Sequence, residues 1–110
     1  MTDTDSSIAD RYCRAFLTPA DRAWATHELA ALGAAAIPVL RSILSGEAKN
    51  EFGIAYRCLG MPVDCALATI QLLRTTARPL EDFIRAEMAA GHRYAEDALR
   101  AIMAADPPSD

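Results

Sequence analysis

The chain has 110 residues, 52% of them apolar, enough for one compact domain with a core and too few for two. Aromatics make up only 6% and alanine is abundant, a composition that favours closely packed helices over strands, which want Val, Thr and aromatic residues. The formal charge is −4, but Asp3, Asp5, Asp10, Asp106 and Asp110 lie near the ends, and without them ten acidic residues face eleven basic ones, which excludes the basic excess that nucleic-acid binding requires.

Residues 1–5 read as a disordered tail. "SSIADRYCRAFL" follows as a first helix, with Ile8, Tyr12 and Phe16 every four positions. In "TPADRAWATHELAALG", Thr18 suits an N-cap, Pro19 the first helical position and Gly33 a left-handed stop. "LGAAAIPVLRSIL" then places Pro38 inside an apolar run. A proline is tolerated in the first turn, where the N–H groups have no internal partner, and costs about 3 kcal/mol or more deeper in a helix. Pro38 therefore marks a helix start, and Gly46 its end. The same punctuation recurs at Gly60 with Pro62, and at Pro79. The expected helices are 7–16, 19–32, 35–45, 49–59, 62–75, 79–90 and 93–105, joined by short turns that predict antiparallel neighbours. Gly53 weakens the fourth. Residues 6–105 form a single helical domain on this reading, and 106–110 a second tail.

A shift of 41 residues superposes Leu29, Leu32, Ala36, Pro38, Val39 and Ile43 on Ile70, Leu73, Ala77, Pro79, Leu80 and Ile84. That period, with two helices per unit, suits HEAT-type repeats. "HELAALGAAAIPVLRSILSG" also resembles a HEAT-like repeat directly: an Ala/Leu helix ends in Leu-Gly, and an Ile-Pro-x-Leu entry opens the next. The resemblance is good over residues 23–46 and weaker over 53–105. It implies an all-α fold, a short right-handed α-α superhelix of about three helix pairs, in which the second helix of each pair lines a concave face. It implies binding and no chemistry.

The residues agree. "HEL" at 27–29 lacks the second histidine of a zinc HExxH motif, since Ala31 stands there. His92 and Glu96 share a helix face and read as a solvated pair. Adjacent Glu81 and Asp82 point about 100° apart on a helix and do not converge for acid–base work. There is no GxSxG elbow and no phosphate loop. The odd cysteine count, Cys13, Cys58 and Cys65, argues against a disulfide framework, and each lies in an apolar pattern. No catalytic residue, metal site or cofactor is expected. "MTDTDSS" carries no basic region before an apolar run, and no stretch reaches membrane-span length, so a cytoplasmic protein without membrane contact is expected.

Trp24 reads as core, packed on Tyr12 and Phe16, or else as an interface anchor. Ten of the eleven basic residues are Arg. Arg41, Gln71, Arg74, Arg93, Glu96 and Arg100 fall on polar stripes that would merge on a concave face and bind another protein's carboxylates. The leading expectation is therefore a non-catalytic protein-binding module. One version is a small bacterial immunity or antitoxin-type protein that neutralises an effector, and pairing with a second copy is also open. The alternative is a small-ligand-binding or lyase-like protein with a pocket at Tyr56, Cys58 and Tyr94.

Overall fold

The computed structural model describes residues 3–104, with side chains from Ile8 onward. The stretch 106–110 and the first two residues of the expected N-terminal tail lie outside that range. Among the described residues there are six α-helices: α1 (Asp3–Leu17), α2 (Arg22–Ala31), α3 (Ala36–Ser45), α4 (Met61–Leu73), α5 (Glu81–Ala89) and α6 (Ala95–Met103). Single turns of 3-10 helix occupy Gly33–Ala35 and Tyr56–Leu59, and a longer 3-10 segment occupies Arg74–Leu80. The all-helical expectation holds.

α4 is the axis of the molecule. Val63, Cys65, Ala66, Leu67, Thr69, Ile70 and Leu73 are buried over most of its circumference, and Met61, Asp64, Ala68, Gln71 and Leu72 form the one stripe that neighbours leave uncovered. α1, α2, α3 and α6 all pack on it. Thr69, the one polar residue in this set, satisfies its hydroxyl on the Cys65 carbonyl at 2.8 Å. The direction of the chain turns by 115° between α2 and the segment Gly33–Ser45, so these two are not the antiparallel pair that a short turn predicts.

The 41-residue similarity has a counterpart in the backbone. α2, a 3-10 turn at 33–35 and α3 are matched by α4, a 3-10 segment at 74–80 and α5. Leu29 and Ile70, Ala36 and Ala77, Val39 and Leu80, and Ile43 and Ile84 are buried in both copies; Leu32 is exposed while Leu73 is buried. Gly33 has φ +60, and Arg74, 41 positions on, has φ 53. Glycine adopts that conformation without steric cost, whereas an L side chain there stores about 1–3 kcal/mol. Arg74→Gly should therefore stabilise the protein by about 1 kcal/mol after the larger entropy loss of glycine is counted, and Gly33→Ala should destabilise it by a similar amount. Chemical denaturation of both variants checks this; an Arg74→Gly variant less stable than the parent contradicts the account.

Four local expectations are corrected. Thr18 does not cap α2: its Oγ1 donates to the Arg14 carbonyl at 3.0 Å and closes α1, and α2 starts four residues later. Helix 49–59 is absent. Asn50 Oδ1 accepts the N–H groups of Phe52 and Ile54 at 2.9 and 3.0 Å, Gly53 sits at φ +79, and Lys49 bridges Ala55, so a tight turn replaces the helix. Trp24 is not core. Tyr12 and Phe16 pack on each other with ring centroids 6.4 Å apart, Ala25 and Leu29 take the inward positions of α2, and Trp24 is 44% exposed with Nε1 donating to Asp21. His92 does not pair with Glu96, which instead accepts from Arg100 at 2.7 Å.

The connection from the loop to the helices is polar and partly buried. Arg57 donates from Nη2 to both carboxylate oxygens of Glu87, at 3.0 and 3.3 Å, and from Nη1 to the carbonyl of Leu44 in the last turn of α3. Tyr56 is buried, and its hydroxyl donates to Asp10, which also pairs with Arg14 at 2.8 Å. Burial and the Asp10 contact push the Tyr56 hydroxyl up to about 12. Burial, with help from Asp10 and Cys65, likewise pushes the Cys13 thiol up to about 12. Cys13 and Cys65 behave as small core hydrophobes, while Cys58 is exposed.

Candidate functional site

One groove of about 650 Å³ lies between α2 and α4, closed at one end by the turn before α6. Its walls follow from helical periodicity. Arg22, Ala23, Thr26 and His27 form one stripe on α2, and Met61, Asp64, Cys65, Ala68 and Gln71 form the facing stripe on α4. Ala23 and Ala68 are too small to fill the space between the helices there. Pro19 and the pair Arg93–Tyr94 complete the lining.

The floor is apolar, and the polar groups are held in place. Arg22 Nε donates to the Phe16 carbonyl at 2.8 Å, which fixes the guanidinium plane and leaves its terminal nitrogens available. The Arg93 guanidinium lies 4.7 Å from the centre of the Tyr94 ring, a cation–π contact. Neither arginine ion-pairs with a carboxylate among the described residues, although Arg11, Arg14, Arg57, Arg85 and Arg100 all do. The one acid in the lining is already engaged. Asp64 Oδ1 lies 2.7 Å from His92 Nε2, and His92 Nδ1 accepts the Tyr94 N–H at 3.4 Å, which leaves the Nε2 proton for Asp64. That latch ties the turn carrying Arg93 and Tyr94 to α4. Burial raises the Cys65 thiol, against the opposing pull of Arg22 and of a hydrogen bond with Thr26.

Of the residues expected to bind a partner, Gln71 and Arg93 line this groove. Arg41 is exposed on α3, Arg74 is exposed at the end of α4, and Glu96 and Arg100 pair with each other on α6, so these four lie outside it. Of the alternative pocket residues, Tyr94 lines the groove, Tyr56 is buried beside α1, and Cys58 is exposed away from it. The local sequence does not group Arg22, Thr26 and His27, which the fold brings into the lining. Two facing i, i+4 stripes with small residues opposite each other were the signal available for them.

A second surface lies at the turn centred on Asn50. Phe52, at the tip of the Asn50-centred turn, is 79% exposed, the largest exposure of any bulky apolar residue described. Ile54 is 46% exposed beside it in sequence. A small hollow lined by Arg14, Leu17, Asn50, Glu51 and Tyr56 seats the base of this turn against α1.

Among the described residues no three His, Cys, Asp or Glu side chains converge as a metal site. No single described helix is long and apolar enough to cross a membrane. Comparison with protein-family models, curated proteins and solved structures found no match to this chain.

Proposed function

We propose that this chain is a non-catalytic helical module that binds another protein, with the Phe52 turn as its anchor. The observation that carries the reading is the exposure of Phe52 on a turn whose backbone is already fixed by Asn50. Aromatic anchors concentrate binding energy at protein interfaces, and a preformed turn avoids the ordering cost of a mobile one. The HEAT-like relation belongs to the same proposal. The twice-repeated helix, 3-10, helix unit supports it, while the 115° turn and the central α4 mark how far this chain departs from evenly stacked antiparallel pairs. An immunity or antitoxin-type role is the specific version, supported by small size and an acidic pI of about 5.1.

The test is gentle purification of the tagged chain from its native host, beside Phe52→Ala. The parent should bring down a stoichiometric partner, an enzyme with its activity blocked in the immunity-type version. Phe52→Ala should keep the parent's stability within about 0.5 kcal/mol and weaken binding by about 2 kcal/mol or more. A parent that purifies alone overturns the reading. So does a variant that keeps its partner with undiminished affinity.

A further inference from the structure

We infer that the groove between α2 and α4 is a binding site for a small molecule that carries one carboxylate on an apolar body. This site is separate from the Phe52 surface and does not depend on the protein-binding reading.

Ten arginines serve this chain, and the two that face the groove, Arg22 and Arg93, are among those with no carboxylate partner in the described residues. Both are positioned before any ligand arrives: Arg22 by its Nε bond to the Phe16 carbonyl, Arg93 by the Tyr94 ring. A guanidinium so held loses little freedom when it meets a carboxylate, and its planar fork matches two oxygens. Asp64, the only acid in the lining, is turned to His92, so the lining sets two guanidinium groups against one carboxylate and stays net positive.

Size and polarity supply the second half. The volume of about 650 Å³ falls in the range of small-molecule sites, which are mostly apolar with a few placed polar groups. Met61, Ala68 and the Tyr94 ring offer a surface for an aliphatic or aromatic body, and Gln71 offers a neutral donor and acceptor at one side. A dianion or polyanion would leave charge over that apolar floor, so one carboxylate is the better match.

The test is a backbone amide NMR titration of the whole chain with 4-phenylbutyrate, 4-phenylbutanol and acetate as probes. A probe of this size should bind in the millimolar range. Phenylbutyrate should give saturable shifts confined to 19–27, 61–71 and 91–94. The alcohol, which keeps the body without the charge, and acetate, which keeps the charge without the body, should each bind about tenfold or more weakly. Arg93→Gln and Arg22→Gln should each weaken phenylbutyrate binding about tenfold. Arg93 makes no backbone bond, so its variant remains informative if loss of the Phe16 contact disturbs the other. Absence of saturation, shifts elsewhere, equal binding of the alcohol or acetate, or unchanged affinity in Arg93→Gln each overturns the assignment.

Discussion

Arg57→Ala should lose about 3–5 kcal/mol of stability, the range for breaking a buried ion pair so that one charge is left without a partner. The asymmetry of the pair decides which half to remove. The Glu87 side chain is 7% exposed and the Arg57 side chain 37%. Removing Arg57 leaves a carboxylate with little access to water and no cation beside it, and it also withdraws the cation that caps the Leu44 carbonyl at the end of α3. Removing Glu87 leaves an arginine that can turn to solvent, so Glu87→Ala should cost less. Replacing both by leucine should recover much of the loss, because two apolar groups of similar volume need no desolvation compensation. Urea denaturation of the three variants measures the order. A cost below about 1 kcal/mol for Arg57→Ala would show that water reaches Glu87 and that the pair is a surface feature.

Leu40→Ala should lose about 2–5 kcal/mol, and Leu72→Ala well under about 1 kcal/mol. Leu40 is fully buried on α3, so truncation leaves a cavity among neighbours that can only partly relax. Leu72 is 48% exposed on α4 and leaves none. Thermal or urea unfolding of the pair reads the difference directly, and equal losses would place Leu72 in the core against the structure.

Leu72 also shows where the sequence stops being legible. "CALATIQLL" is apolar on nearly every side, since α4 is covered by neighbours along most of its circumference. Asp64 and Gln71 give this helix only a narrow polar stripe, too little period to tell Leu72 from Leu73. On α3 a one-sided pattern made Leu40 readable, and Pro38 and Gly46 marked both ends as expected. The segment 49–59 failed for a different reason. Its composition permits a helix, but the Asn50 side chain supplies hydrogen bonds that compete with the helical ones, and Gly53 accepts the conformation this requires. The candidate groove was half legible. Gln71 and Arg93 carried a visible polar pattern, whereas Arg22 belongs to the site only because α2 crosses α4, a long-range fact that no local window contains.

The central position of α4 has a consequence for how the molecule opens. α1, α2, α3 and α6 each bury a face on this one helix, so all four lose packing once it leaves. Partial unfolding that exposes α4 is then nearly as costly as complete unfolding, and its backbone amides should exchange with deuterium only through the global transition. The turn at 50–54 and the exposed end of α5 should exchange far faster through local fluctuations. A chain built from a twice-used unit in this way does not melt one unit at a time, as a linear array of repeats can, but as a single cooperative body.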